Sequence, residues 1–223
     1  MPDLLVTGTD TGVGKTVIAA ALVKALCAKG VRVIGFKPVQ TGYQEGQPSD
    51  ADLLAAASSE HTPLSTPLLQ LNEPLAPAVA ADRAGTPISA LDIESRIGRL
   101  RRCGYSLVVE GAGGVMVPLV WGYTVLDLAE RLAFETVVVG RAGLGTLNHV
   151  TMTVAMLRAR NIPIRAVVLN GRRDPATLAE STNPSALARM LPGLAIIEVP
   201  HQSGATPEDI IASTVPLVTA LIA

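Results

Sequence analysis

Residues 8–16, with the sequence GTDTGVGKT, place a glycine-rich turn between an apolar run and an alanine-rich stretch. Residues 4–6 predict a buried strand, and residues 16–28 have the apolar spacing of a helix. Glycines in such a turn let backbone N–H groups face a phosphate, and the helix N-terminus adds a partial positive charge. We expect Lys15 to reach the outer phosphates and the Thr16 hydroxyl to bind Mg²⁺. The segment therefore predicts a nucleotide site.

The spacing inside this turn differs by one residue from the usual phosphate-binding pattern. That pattern has four residues between its first glycine and the Gly-Lys pair, whereas five separate Gly8 from Gly14. If four residues are counted back from Gly14, the first glycine of the usual pattern would fall just before them, at Thr9. An ordinary glycine-rich strand-to-helix turn is the alternative, but it does not account for Gly-Lys-Thr at the start of the helix.

The composition is typical of one α/β domain, here residues 1–223. The chain is 48% hydrophobic but only 3% aromatic, as in a parallel sheet covered by helices. The net charge of −1 and the scattered basic residues favour neither a nucleic-acid nor a membrane partner. Cys27 and Cys103 lack metal-site spacing and predict packed, reduced thiols in a cytoplasmic protein. No signal-peptide pattern precedes Leu4, and no apolar run approaches the ~20 residues that span a bilayer.

Strand and helix patterns alternate along almost the whole chain. They predict a doubly wound, mostly parallel sheet with helices on both faces, similar to P-loop NTPases. We also expect a helix to start at Asn183-Pro184, by the rule that a capping residue precedes proline. Ligands of such sheets bind at the carboxyl ends of the strands. Six residues of interest end predicted strands: Gly8, Lys37, Glu110, Arg141, Asn170 and Pro200.

Charged residues at two of these strand ends predict phosphate chemistry. Glu110 ends an apolar strand before a glycine-rich loop, and we expect it to help hold Mg²⁺; an acid that only caps a strand is the alternative. Lys37 is expected to neutralise charge on a transferred phosphoryl group, with Thr41 bound to the same ligand, although a surface lysine is the simpler interpretation. Asp50 and Asp52 begin a short predicted helix, and either carboxylate would serve as its cap.

Five segments together resemble one enzyme family. They are residues 8–16 (GTDTGVGKT), 36–42 (FKPVQTG), 49–51 (SDA), 109–114 (VEGAGG) and 144–149 (LGTLNH). In this order and spacing they resemble dethiobiotin synthetase, most weakly at residues 62–100 and after Arg172. The phosphate loop of that family has one extra residue, which accounts for the unusual spacing. Gly12 departs from members that carry an acidic residue there.

The resemblance implies an ATP- and Mg²⁺-dependent ligase. An amine of 7,8-diaminononanoate (diaminopelargonate) becomes a carbamate with CO₂ or bicarbonate as its source, and the carbamate oxygen attacks the γ-phosphorus of ATP. The neighbouring amine then attacks the carbamic–phosphoric anhydride, which gives dethiobiotin, ADP and phosphate. The family further implies a homodimer with the substrate site at the subunit interface.

The resemblance also assigns roles to residues of this sequence. Lys15, Lys37 and Thr11 are the expected catalytic residues, and the expected metal ligands are Thr16, Asp50 and Glu110, which favours Asp50 over Asp52. The expected substrate contacts, the last four made to the substrate of the partner subunit, are Thr41, Gly111, Ala112, Gly113, Gly145, Thr146, Leu147 and Asn148. The expected nucleotide contacts are Gly8, Gly12, Val13, Gly14, Lys15, Thr16, Val17, Glu110, Asn170, Gly171, Pro200, His201 and Gln202.

Two other classes of protein share parts of this pattern. A regulatory ATPase switch of the ParA/MinD kind usually has a second lysine early in the phosphate loop, where this chain has Asp10. Some such switches end in a basic amphipathic helix, whereas residues 210–223 contain no Lys or Arg. The synthetase half of a glutamine amidotransferase is the other alternative, but no glutaminase-like segment with a nucleophilic cysteine follows. Both classes account for the sequence less well.

Overall fold

The computed structural model describes residues 3–222. Its strands, in chain order, are β1 (Leu4–Gly8), β2 (Val33–Phe36), β3 (Val39–Thr41), β4 (Leu69–Leu71), β5 (Ser106–Gly114), β6 (Pro118–Val120), β7 (Tyr123–Thr124), β8 (Glu135–Arg141), β9 (Ile164–Arg172) and β10 (Ala195–Pro200). Its helices are α1 (Lys15–Ala28), α2 (Asp50–Ala57), α3 (Pro77–Ala84), α4 (Ala90–Arg102), α5 (Val125–Arg131), α6 (Thr146–Ala159), α7 (Leu178–Met190) and α8 (Pro207–Thr219). Within residues 3–222, no helix has both the length and the apolar character needed to cross a membrane.

Six strands form a central sheet in the order β10-β9-β8-β1-β5-β2. Every neighbouring pair in this sheet is parallel. The chain goes from β1 to β2 on one side and later reaches β8 on the other side, so the loop after β1 lies where the connections diverge. Ligands of open parallel sheets bind at such a point. The predicted fold class is confirmed.

Side chains of the sheet alternate between two apolar cores. Val137 and Val139 of β8 pack in the core that includes α1, whereas Val138 between them packs in the core on the other face. All three are fully buried. Because helices cover both faces, successive residues of a strand are apolar, and this is why the strands appear in the sequence as continuous hydrophobic runs.

Four short strands lie outside the central sheet and were not predicted. β3 pairs in parallel with β4, and β6 pairs antiparallel with β7. Strands of two or three residues are too short to show an alternating pattern in the sequence. Their effect is local: β3 ends at Thr41, and the turn before β6 carries Val117, and both residues line the cleft described below.

The prediction that a helix starts at residues 183–184 is wrong, because a stronger cap lies upstream. α7 begins at Leu178, where the Thr177 hydroxyl accepts from the backbone N–H of Glu180 and the Glu180 carboxylate accepts from that of Thr177. This reciprocal pair is a capping box. Pro184 lies inside the helix, where its ring removes the hydrogen bond to the carbonyl four residues earlier.

The two cysteines differ in exposure. Cys27 is half-buried on α1, and its thiol donates to the Ala57 carbonyl at 3.6 Å. Burial raises the pKa of the Cys27 thiol. Cys103 is exposed at the end of α4, so the prediction of two packed thiols is wrong for Cys103. It follows the last turn of an amphipathic helix, where the chain leaves the core.

Candidate active site

The loop between β1 and α1 requires glycine at two positions for steric reasons. Gly14 has a φ of 94°, and a Cβ there would lie 2.0 Å from Nδ2 of Asn170. A Cβ on Gly8 would lie 2.8 Å from the carbonyl oxygen of Asp10 and 2.9 Å from a methyl of Val13. The backbone around Gly8 leaves no room for a side chain, and the φ of Gly14 is one that residues with a side chain seldom adopt, so glycine at both positions lets the loop fold back tightly before α1.

A cleft of about 580 Å³ opens at the carboxyl edge of the sheet, next to this loop. Its volume lies within the usual range for small-molecule sites, about 300–1,000 Å³. The structure brings half of the predicted site residues together in its lining. These are Thr11, Gly12, Gly14, Lys15, Thr16, Val17, Lys37, Thr41, Asp50, Glu110, Ala112 and Gly113.

The other predicted residues lie outside the lining of the cleft. They are Gly8, Val13, Gly111, Gly145, Thr146, Leu147, Asn148, Asn170, Gly171, Pro200, His201 and Gln202. Asn170 still contacts the phosphate loop, because its Nδ2 donates to the Val13 carbonyl at 3.0 Å. Gln202 instead donates its amide N–H to Ser213 of α8. The roles of these residues toward a nucleotide or substrate stay predictions.

The predicted substrate loop, residues 145–148, forms the start of α6. Gly145 is the N-cap residue with a φ of 93°. Thr146 is buried, and its hydroxyl has no hydrogen-bond partner in the described part of the chain. Asn148 is exposed on the first turn. The contact of this loop with the substrate of a partner subunit stays a prediction.

Four side chains meet at the base of the cleft. Nζ of Lys37 lies 2.9 Å from Oε1 of Glu110 and also donates to Asp50. The Thr16 hydroxyl lies 3.1 Å from the same oxygen of Glu110. Lys37 is 7% exposed and Glu110 is 2% exposed, so both charges are largely removed from water. Such desolvated charges persist only where opposite charges compensate them.

Burial and neighbouring charges shift the pKa values of these groups in different directions. Burial lowers the pKa of Lys37, but attraction to Glu110 and Asp50 outweighs it, so the net pKa is raised. Burial raises the pKa of Glu110, and the charge of Asp50 adds to this shift. Burial also raises the pKa of Asp50, but the charge and hydrogen bond of Lys37 lower it overall. Burial lowers the pKa of Lys15, and the charge of Lys37 adds to this effect.

Oxygens of Thr16, Asp50 and Glu110 fit a hard divalent cation such as Mg²⁺. Oε2 of Glu110 is buried and has no hydrogen-bond partner among residues 3–222, so one acceptor remains for a ligand. The Thr16 hydroxyl donates to Oε1 of Glu110 at 3.1 Å, so these two proposed ligands are neighbours in the cleft. In the same range, no three His, Cys, Asp or Glu side chains cluster to hold a metal, so the predicted set depends on two carboxylates and a hydroxyl.

The sequence did not identify the apolar wall of the cleft. Eight residues form it: Val39, Leu53, Pro74, Leu75, Ala76, Pro77, Val117 and Pro207. Leu75 is 39% exposed beside two prolines, and this proline-rich turn was the one available signal. Apolar residues that line a cleft form no recognisable sequence motif, because packing against an aliphatic ligand requires no particular spacing along the chain.

Comparison with known proteins identifies the family. A sequence profile described as an AAA domain matches residues 3–209. The ATP-dependent dethiobiotin synthetase BioD of Anaeromyxobacter dehalogenans (strain 2CP-C) is 43% identical over 191 residues, which covers 85% of this chain and 86% of that protein. The chain belongs to the dethiobiotin synthetase family. The resemblance predicted from the five segments is confirmed.

Two further dethiobiotin synthetases match over similar lengths. The protein of the same name from Haloferax mediterranei is 42% identical over 211 residues, which covers 94% of this chain and 88% of that protein. The one from Mycobacterium tuberculosis (strain ATCC 25177 / H37Ra) is 42% identical over 192 residues, covering 85% and 84%. The similarity therefore extends over most of each chain.

A solved structure shares the fold of this dethiobiotin synthetase family member. Apo McdA of Cyanthece has a TM-score of 0.59 and 12% sequence identity, and the similarity covers 100% of this chain and 97% of that chain. At this identity the similarity shows the fold alone. It does not favour the alternative of a regulatory ATPase switch.

A lack of space does not account for the glycine at position 12 of this dethiobiotin synthetase family member. A Cβ there would meet no atom within 4 Å. The φ of 70° is the constraint, because side-chain-bearing residues seldom adopt it. An acidic residue at this position would therefore require either a strained backbone or a different turn.

Proposed function

We propose that this protein is an ATP-dependent dethiobiotin synthetase, a ligase that closes a ureido ring on 7,8-diaminononanoate with CO₂ and ATP. The observation that carries the proposal is the position of the phosphate loop beside the cluster of Lys37, Asp50 and Glu110 in one cleft. The 43% identity to a protein of that name supports it independently. ADP and phosphate are the other products.

The charges at the base of the cleft suit two anionic reactants. A carbamate and a triphosphate repel each other, and Lys15 and Lys37 offset this repulsion in a site partly removed from water. Attraction to its two carboxylates keeps Lys37 protonated there, because the pKa of its ammonium is raised. Thr41 lines the same cleft and would orient the carbamate by a hydrogen bond from its hydroxyl.

Ring closure needs no nucleophile from the protein. One amine of the substrate adds to CO₂ and loses a proton, and the carbamate oxygen then attacks the γ-phosphorus of ATP as ADP leaves. The second amine attacks the carbonyl carbon of the anhydride, loses a proton and releases phosphate. The protein contributes position and charge: the backbone of residues 111–113 would lie beside the reacting groups, and Thr11 beside the phosphates.

Thr16, Asp50 and Glu110 are the residues that we propose hold Mg²⁺. When bound, the ion would neutralise part of the triphosphate charge. The unpartnered Oε2 of Glu110 supports this assignment. Lys37 shares both carboxylates with the proposed metal site, so it would also fix their orientation.

We place the base of the nucleotide next to the ends of β9 and β10. Asn170 contacts the phosphate loop through the Val13 carbonyl, which supports a position near the bound nucleotide. Pro207, at the start of α8, lines the cleft, and residues 200–202 lie at the end of β10 and in the connection between β10 and α8. Asn170 would hydrogen-bond the base, and residues 200–202 with Gly171 would form the rest of its pocket.

We propose a homodimer in which α6 forms part of the interface. Asn148, Met152 and Met156 lie on one exposed face of α6 at helical spacing, and the two methionines are 54% and 37% exposed. Leu144, just before the helix, is 94% exposed. A second copy covering this face would bring residues 145–148 to the partner's substrate. Sedimentation analysis of wild type and Met152→Glu tests this, and a wild-type monomer would contradict it.

Two further assignments complete the proposal. We treat residues 1–223 as one catalytic domain, because both apolar cores pack on the same central sheet. We place the protein in the cytoplasm, where ATP and the intermediates of a biosynthetic pathway are available. Within residues 3–222 the strands and helices alternate without a long linker, which supports the assignment of a single domain.

The test of the proposed function is a coupled product assay. Purified protein is incubated with ATP, Mg²⁺, bicarbonate and 7,8-diaminononanoate, and ADP and dethiobiotin are measured together. We expect equal amounts of both products and little ADP without the diamine. ADP release that is indifferent to the diamine would overturn the ligase proposal and favour the regulatory switch.

A further inference from the structure

The outer turn of the phosphate loop carries an acidic residue, Asp10. Its Oδ1 accepts from the backbone N–H of Thr11 at 2.7 Å, and its carbonyl accepts from Nζ of Lys15 at 2.9 Å. Thr11 and Lys15 both line the cleft. The Asp10 carboxylate is therefore next to the residues that would contact a triphosphate, and its negative charge opposes the binding of that ligand.

One arginine from the neighbouring strand lies against this turn. Arg141 ends β8, which pairs with β1, and its Nη2 lies 3.2 Å from Oδ2 of Asp10 and 3.3 Å from the Thr11 carbonyl. Within residues 3–222, Arg141 is the one basic side chain within 4 Å of the Asp10 carboxylate. The two side chains are 65% and 55% exposed. An exposed pair of this kind contributes little to the free energy of unfolding. We therefore expect its effect on ligand binding.

Polar contacts hold the outer turn of the loop: besides those of Arg141, the Lys15 ammonium donates to the Asp10 carbonyl and the Thr9 backbone N–H donates to the Val139 carbonyl, each at 2.9 Å. Five residues separate Gly8 from Gly14, and the fourth of them, Gly12, has a φ of 70° and no side chain. A turn without packed side chains is free to move unless polar contacts fix it. Arg141 makes two such contacts on consecutive residues, with the carboxylate of Asp10 and the carbonyl of Thr11.

We propose that Arg141 is a positioning residue for the nucleotide, acting through Asp10. It neutralises the carboxylate that would repel the phosphates, and it holds the outer turn so that Thr11 and Lys15 face the cleft. The inference rests on the proposed nucleotide site but not on the ring-closing reaction. Where a regulatory switch has a lysine in this part of the loop, this chain has an acid paired with a basic residue of the neighbouring strand β8.

Calorimetric titration with ATP and with ADP tests the proposal. We expect Arg141→Ala to weaken binding of both nucleotides, with a Kd about two- to fivefold higher, the range for one exposed pair. Arg141→Lys keeps the charge and should bind nearly as tightly as wild type. The decisive variant combines Arg141→Ala with Asp10→Asn. It should recover most of the lost affinity, because the uncompensated charge is gone.

Arg165→Ala is the matched control. Arg165 pairs with Glu135 at 2.7 Å across β8 and β9, at the opposite edge of the sheet, and its loss should leave the Kd unchanged. High salt should also reduce the difference between Arg141→Ala and wild type, because at about 1 M the Debye length is about 3 Å. An unchanged Kd in Arg141→Ala would overturn the proposal, and so would a loss that Asp10→Asn does not recover. Since nucleotide binding is measured, either result is independent of whether dethiobiotin is made.

Discussion

The ammonium of Lys37 lies 2.9 Å from Oε1 of Glu110, and the pairing of two strands sets this distance. Phe36 of β2 is in register with Val109 of β5, so the next residue of each strand emerges at the same point of the carboxyl edge. Both strands are buried, and the two charges are therefore held at the inner end of the cleft. Asp50, from the start of α2, adds the second carboxylate.

Replacing Lys37 tests whether this charge acts in the reaction. We expect Lys37→Ala to lower dethiobiotin formation by about 10²-fold or more, the usual effect of removing one preorganised electrostatic contact. Glu110 and Asp50 would also repel each other and the phosphates. The initial rate of dethiobiotin formation is the measurement. Unfolding monitored by circular dichroism should show a retained fold.

Lys29→Ala is the matched lysine control for this change. Lys29 is exposed and donates to the Ile222 carbonyl at 2.9 Å, at the opposite end of α1 from Lys15 and about 20 Å along the helix from the cleft. Its replacement should leave turnover unchanged. Undiminished turnover in Lys37→Ala would exclude Lys37 from the active site.

Glu110→Gln tests the proposed metal site. The amide keeps the shape of the side chain but removes the charge and replaces one oxygen by a donor, which a hard cation does not accept as a ligand. We expect the Mg²⁺ concentration for half-maximal activity to rise at least about tenfold, since even mutations of outer-shell residues cost that much. An unchanged Mg²⁺ titration would contradict the ligand role. Glu45→Gln, on an exposed loop, is the control.

The sequence predicted the elements of the site better than their arrangement. Lys37 and Glu110 were each recognised at the end of an apolar strand, because the pattern of one strand is local. Their contact depends on β2 pairing with β5, which hydrophobic periodicity does not encode. The alternating pattern likewise predicted the fold class, because each strand and helix can be recognised from its own residues. The order of the strands in the sheet depends instead on tertiary contacts.

Competing local signals explain one error in the predicted helices. Asn183-Pro184 fits the rule for a helix start, but Thr177 and Glu180 form a complete capping box seven residues upstream of the proline. Asn183 therefore lies inside α7, where its side chain makes a tertiary contact. Its buried amide donates to the carbonyls of two residues of another loop, a contact that no local pattern indicates.

Asn183→Ala should destabilise the fold through the loop before α6. Nδ2 of Asn183 donates to the carbonyls of Ala142 and Gly143 at 2.8 and 2.9 Å, and the side chain is buried. Its removal leaves the buried Ala142 carbonyl and the partly buried Gly143 carbonyl without this donor, and we expect a loss of about 1–3 kcal/mol in the free energy of unfolding. Urea denaturation measures this. Asn72→Ala, at an exposed position, should change it by less than about 0.5 kcal/mol.

Acid should destabilise the protein in part through the cap of α7. Hydrogen bonding from the Thr177 backbone, followed by the contact with Arg173, lowers the pKa of Glu180 to about 2. In the unfolded chain a glutamate has a pKa of about 4.3, so the folded state favours the ionised form. This contribution is complete above about pH 4.3 and is lost as the pH falls toward about 2.

Glu180→Gln keeps an acceptor for the cap but has no charge to lose. We therefore expect it to be less stable than wild type near neutral pH, with the two unfolding midpoints converging as the pH falls below about 4. A difference between the midpoints that stays constant over this range would show that the charge of Glu180 does not stabilise the fold.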